Sequence, residues 1–205
     1  MRRFTALILA GFCVTVVLGC TGWRDYLGSY LEIGKERGLS EEYLSSLQKW
    51  TREETAYSQF ATSFHISATY KSDAFNRAFM KEQARFLNLT QEDRAKREVV
   101  QRQSTSDFTE FFFYAYTALR SANDFGDRNS TWRIFLLDEK GRQIDPLEIR
   151  KVEREQVTPL IESFFPYVQK YFGYGYHLRF PRQPSSPLKL VFTSHVGRIE
   201  LNWKQ

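Results

Sequence analysis

The chain changes its apolar period several times, and those changes mark its elements. From Ser58 to Tyr70 the period is two. Phe60, Thr62, Phe64, Ile66, Ala68 and Tyr70 fall on one side, and Gln59, Ser63, His65, Ser67 and Thr69 on the other. This is the pattern of a long, half-buried strand. Asp73 opens a stretch at helical spacing, where Phe75, Phe79, Phe86 and Leu87 can share a face. Thr90, with Asp93 three positions on, starts a second helix over Gln91–Gln103. Its apolar positions are only Ala95, Val99 and Val100, so this helix is predicted to protrude with little buried surface.

Strand signals then resume. Phe108–Leu119 is apolar on both phases through FFFYAY, as in a strand buried on both sides. Asn123–Ser130 is a dense turn cluster, Trp132–Leu137 a strand, and Asp138–Gly141 a turn leading to Arg142–Ile144. Pro159–Tyr171 reads as irregular or helical. Tyr176, Leu178 and Phe180 alternate with His177 and Arg179, and Pro181–Pro187 is a loop. Leu188, Leu190 and Phe192 match Ile199, Leu201 and Trp203 across a turn at Ser194–Gly197. About seven short strands joined by turns predict a mainly β fold with inserted helices. The expected class is an antiparallel β-sandwich, with an immunoglobulin-like arrangement as the specific candidate.

Ahead of the first strand, residues 20–54 read as a tether and a helical preface. Trp23, Tyr26, Tyr30, Leu31 and Ile33 are apolar at near-helical spacing. Ser40 caps a short helix with Tyr43, Leu44, Leu47 and Trp50 on one side. The expected organisation is a leader over 1–19, the tether over 20–54 and a sandwich domain over 55–205, with a helical insertion at about 73–103.

The leader follows from the first residues. Met1-Arg2-Arg3 is a short basic head, and Phe4–Gly19 is an apolar run that stops at Cys20. A spanning helix needs roughly 20 apolar residues, a secretory signal core only about 7–15. Val17-Leu18-Gly19-Cys20 resembles the lipobox of bacterial lipoproteins, with Val17 where Leu is usual. The resemblance covers the first 20 residues. It implies cleavage between Gly19 and Cys20 by signal peptidase II and acylation of Cys20, the residue that then holds the chain to the membrane. Thr21, where an aspartate would favour the inner membrane, implies the outer membrane, with the domain facing the periplasm.

Cleavage changes the composition. The chain of 205 residues carries +5 and is 16% aromatic, with mean hydropathy −0.48. Loss of Arg2 and Arg3 brings the charge to about +3, which gives no reason to expect a nucleic-acid partner. Cys13 leaves with the leader and Cys20 is taken by lipid, so the folded domain holds no thiol. Disulfides and thiolate metal sites are thereby excluded from it.

Chemistry is sparse in what remains. His65 and His177 sit on polar strand phases, and His195 lies in a turn. No pair of histidines has the helical spacing of a zinc motif. No Gly-x-Ser-x-Gly elbow occurs. Asp124-Phe125-Gly126 matches the metal-binding triplet of protein kinases, but without the glycine-rich and catalytic loops it carries no weight. Asp124, Asp127 and Asn129 offer oxygen atoms without the ladder of a calcium loop, and read as a turn. No metal and no cofactor is expected. The aromatic residues gather in two stretches, and Phe164, Phe165, Tyr167, Tyr171 and Tyr174 are the candidate ligand or partner surface.

The leading expectation is therefore a non-catalytic envelope lipoprotein whose sandwich binds another envelope protein. The alternative is a carrier or chaperone for a hydrophobic ligand such as a lipid. A filled core with an exposed apolar patch favours the first, and an aromatic-lined cavity the second. Convergence of two histidines in a cleft would point instead to an enzyme.

Overall fold

The computed structural model describes residues 26–58, 61–153, 159–183 and 187–204. The expected leader, its expected cleavage position and Cys20 lie outside the described residues. Two helices open the described chain, α1 (Tyr26–Glu36) and α2 (Glu41–Trp50), followed by a hairpin of β1 (Thr51–Ser58) and β2 (Ala61–Tyr70). Then come α3 (Asp73–Phe86), α4 (Gln91–Asp107) and β3 (Phe108–Thr117). The remainder is β4 (Arg133–Leu137), β5 (Gln143–Ile144), β6 (Glu148–Val152), α5 (Pro159–Phe164), β7 (Tyr174–Pro181), β8 (Leu188–Ser194) and β9 (Gly197–Trp203).

The strands form two antiparallel sheets, ordered β1-β2-β3-β7-β6 and β5-β4-β8-β9. They pack face to face, so the chain is a β-sandwich with inserted helices. The first three strands form a meander within one sheet, whereas an immunoglobulin domain divides its first three between two. Residues opposite one another in a ladder share a face. Phe64, Ile66, Ala68 and Tyr70 of β2 therefore align with Thr117, Ala115, Phe113 and Phe111 of β3, and the last two of these with Tyr176 and Leu178 of β7. That face meets Leu190 and Phe192 of β8 and Leu201 and Trp203 of β9 in one core. Aromatic rings bridge the sheets: Phe113 to Phe192 at 5.1 Å and Phe111 to Trp203 at 5.1 Å.

The opposite face of the five-stranded sheet is covered as well. Thr51, Ser67 and Thr69 are essentially inaccessible although polar. Thr69 shares hydrogen bonds with the Thr51 hydroxyl (2.8 Å) and the Tyr167 hydroxyl (2.6 Å), which removes the cost of burying them. The helices therefore form a third layer. β2, expected to be half-buried, is covered on both sides where this layer lies.

Local signals place the helices. Ser40, Ser72 and Thr90 each accept a hydrogen bond from the backbone N–H three residues on, capping α2, α3 and α4. The buried Glu82 of α3 accepts from both the backbone and the hydroxyl of Ser40 and pairs with Arg85, locking α2 onto α3. Tyr43, Leu47 and Trp50 are buried, and the Trp203 indole donates to the Trp50 carbonyl (2.7 Å). The helical preface is thus packed into the core, and the first strand starts at Thr51.

Two sequence expectations shift. The strand expected from Ser58 begins at Ala61, because Ser58 ends β1 and pairs with Ala61 across the hairpin. Strands β1 and β6 were not among those expected. Both are edges of the five-stranded sheet and carry charged runs, Arg52-Glu53-Glu54 and Arg150-Lys151. Charge on an edge strand discourages pairing with another chain and at the same time erases the apolar alternation.

Candidate functional site

The five aromatic residues singled out from the sequence separate into two groups. Phe164, Phe165 and Tyr167 are at most 7% exposed. The Phe165 ring lies 4.4 Å from that of Phe112, and the Tyr43 hydroxyl donates to the Phe164 carbonyl (2.7 Å). Burial drives the Tyr167 phenol far above its usual range, so the hydroxyl stays protonated in its bond with Thr69. These three residues join the helical layer to the sheet. They form core and offer no surface to a partner.

Tyr171, by contrast, is 71% exposed, and its neighbour Phe172 is 67% exposed. Tyr174 begins β7 half-buried, with the Lys151 ammonium 3.7 Å from its ring centre. Gly173 shapes the turn: a Cβ there would come within 2.2 Å of the Ala115 carbonyl oxygen and 2.7 Å of the Tyr114 ring. The backbone therefore closes tightly under β3, and the two preceding aromatics are left outside. Leu119 and Tyr57 are also largely exposed. Strand register puts them at the same end of the sheet. Ala115 pairs with Tyr174, Phe64 with Thr117, and Tyr57 with Thr62 at the hairpin tip. Phe172 was within reach of sequence reasoning, since it adjoins Tyr171; Tyr57 and Leu119 gave no local signal.

Helix α1 lies along the segment that leads to this end. Arg37 donates to the Glu162 carbonyl, and the Tyr30 hydroxyl accepts from Gln169 (3.0 Å). The helix thus lies antiparallel to residues 162–169.

A small polar cleft of about 210 Å³ lies between α4 and the five-stranded sheet, lined by Lys71, Glu110, Glu148, His177 and Arg179. Glu110 pairs with Lys71 (3.3 Å) and Arg179 (3.0 Å), and Arg179 also reaches Glu148 (3.2 Å). Burial opposes the Glu110 charge. Lys71 nearby and the hydrogen bonds from Arg179, Ser104 and Lys71 outweigh it and hold the carboxyl below its usual range. Burial, reinforced by Lys71 and Arg150, lowers His177 to about 4, leaving it neutral at pH 7. The ion network joins the end of β2 to β3, β7 and β6, and Ser104 of α4 adds a hydrogen bond to Glu110.

The histidines do not converge. His65 is registered with Tyr116 and His177 with Phe112, four residues apart on β3, and His195 lies in the β8–β9 turn. His65 bridges Thr55 (2.7 Å) and Ser67 (2.9 Å), and burial lowers it to about 4. In the turn cluster, the Asp124 carboxylate accepts from the Thr131 backbone (2.9 Å), which closes the loop, and Phe125 stacks on Trp132 at 4.6 Å within the core. Among the described residues, no group of three or more His, Cys, Asp or Glu is arranged to hold a metal ion, and no helix is long and apolar enough to cross a membrane.

No family model and no curated protein matches the chain. Among solved structures it is similar to a novel protein of unknown function from Burkholderia pseudomallei K96243. The two share 11% identity with a TM-score of 0.43, over 87% of this chain and 89% of that one.

Proposed function

We propose that this protein is a non-catalytic envelope lipoprotein, held to the outer membrane by acylated Cys20, whose periplasm-facing sandwich binds another envelope protein. The observation that carries the reading is how the aromatic residues are distributed. Phe164, Phe165 and Tyr167 fill the core, while Tyr171 and Phe172 stand outside it on a turn closed by Gly173. Exposed adjacent aromatics with Leu119 and Tyr57 at the same end make an apolar patch of the kind that protein contacts bury. A carrier for a hydrophobic ligand would need the buried aromatics to line a cavity, and here their rings contact one another.

The test is envelope crosslinking with the acylated chain. Tyr171→Ser with Phe172→Ser is expected to abolish the crosslinked species while leaving the thermal midpoint unchanged, since both side chains are exposed. Cys20→Ala is expected to lose the palmitate label and accumulate uncleaved precursor. Crosslinking that survives the double substitution would remove the aromatic turn from the contact, and a palmitate label that survives Cys20→Ala would remove Cys20 as the anchor.

A further inference from the structure

A further concave feature belongs neither to the aromatic end nor to the polar cleft. It is a groove of about 830 Å³ between α3 and α4, which turn back on each other through Asn88 in the left-handed conformation (φ 48). Met80, Ala84 and Leu89 supply apolar lining, and arginines from both helices edge it. Those arginines are unevenly paired. Arg102 is neutralised by Glu98 and Arg182 by Asp73, at 3.6 and 3.8 Å. Arg77 and Arg97, from the two facing helices, are exposed and make no ion pair among the described residues. Arg94 donates to the Leu89 carbonyl (3.1 Å) and makes no ion pair among the described residues.

A second, independent feature lies in the same groove. Asn76 is 3% exposed and belongs to the lining. Its Nδ2 donates to the Lys71 carbonyl (2.9 Å) and the Thr105 hydroxyl (3.2 Å), which fixes the orientation of the amide. Oδ1 is left as a buried acceptor with no hydrogen-bond partner among the described residues. Such a group is costly to leave unsatisfied and calls for a donor.

We infer that the α3–α4 groove binds an acidic peptide segment of a partner protein. Carboxylates meet Arg77, Arg94 and Arg97, an apolar side chain rests on Met80, Ala84 and Leu89, and a backbone N–H supplies the donor that Asn76 lacks. Guanidinium groups suit carboxylate recognition because they present fixed pairs of donors. A phospholipid offers a single phosphate to arginines spread over two helices, whereas an acidic peptide offers a carboxylate to each. The site is distinct from the aromatic end, since none of Tyr57, Leu119, Tyr171 or Phe172 lines it.

The probe is a fluorescent peptide of alternating glutamate and leucine, titrated into the full acylated chain in detergent. Its lysine–leucine counterpart and monomeric dihexanoyl phosphatidylglycerol serve as competitors. Binding of the acidic peptide alone, weakening with salt, is expected. Arg77→Glu with Arg97→Glu is expected to weaken it by about tenfold or more. Arg77→Gln with Arg97→Gln gives a smaller loss and serves if charge reversal disturbs folding. Absence of peptide binding, equal binding by the variants, or displacement by the lipid at lower concentration than by unlabelled acidic peptide would overturn the inference. The last result would assign the groove to a lipid headgroup.

Discussion

Helix α4 and strand β3 adjoin in the chain and could hardly be more differently placed. α4 spans 17 residues, of which Thr105 alone is buried; β3 spans 10, and burial reaches eight of them. Thr105 belongs to the last turn of α4, where the helix nears the sheet. β3 is the middle strand of its sheet, with a ladder on each side, the sandwich core against one face and the helical layer against the other. A segment in that position is fixed by packing, and nearly every side chain is committed to a neighbour. A segment like α4 is fixed by its cap and its backbone hydrogen bonds. Its side chains are left free to serve solubility or recognition. The difference separates residues that hold the fold from residues available for function.

The strongest way to break the comparison is to remove a ring from β3. Phe113 is fully buried, stacked on Tyr176 at 4.8 Å and edge-on to Phe192 and Phe125 at 5.1 and 5.6 Å. Phe113→Ala leaves a cavity that the two ladders of β3 prevent from collapsing. It is expected to cost about 3–5 kcal/mol in urea denaturation. A loss under about 1 kcal/mol would mean that the sandwich core relaxes around the site and that β3 is no rigid centre.

A middle-sized effect tests the helix-covered face. His65 and His177 flank β3 there, both lowered to about 4 chiefly by burial, from an ordinary value near 6.5. Between these values the unfolded chain binds more protons than the folded one. Stability is therefore full above about pH 6.5 and falls as the pH drops toward 4. At pH 5 the loss is expected to be about 2 kcal/mol for each histidine. His177→Gln is expected to flatten the urea midpoint against pH by that histidine's share. An unchanged slope would show that this face is wetter than the burial of Thr69 and Tyr167 implies.

Much of this arrangement was legible in the sequence, and the gaps have physical causes. The two-sided apolar run of β3 and the polar surface of α4 were both visible, because each sets its own burial. The β8–β9 hairpin was visible from its matched alternation. The edge strands β1 and β6 were not, since Arg52, Glu53, Arg150 and Lys151 protect an edge by breaking the pattern that announces a strand. For the site, the aromatic content of residues 164–174 was plain but its division was not. Phe165 and Tyr171 look alike in sequence. What sends one inward and the other outward is the helical layer over Phe112 and the tight passage at Gly173, both products of tertiary packing. The α3–α4 groove was hidden for a related reason. The charges of α4 are interleaved along the chain, and only the facing of Arg77 against Arg97 reveals which remain unmatched.

The smallest effect is the sharpest test of what α4 is for. Val99 and Val100 are 66% and 70% exposed, on a helix with almost no apolar stripe to spare. Val99→Ser with Val100→Ser is expected to change stability by less than about 0.5 kcal/mol, because exposed substitutions away from caps and cores rarely do more. Helix propensity gives the change little weight, since Ser and Val rank close together in helices. A loss of 2 kcal/mol or more would place these valines against other parts of the chain and make α4 a structural element. A null result on stability, combined with a full loss of ring packing in Phe113→Ala, would establish that two adjoining segments are held by different means. In one, substitution is limited by the fold. In the other, it is limited only by whatever the exposed surface meets.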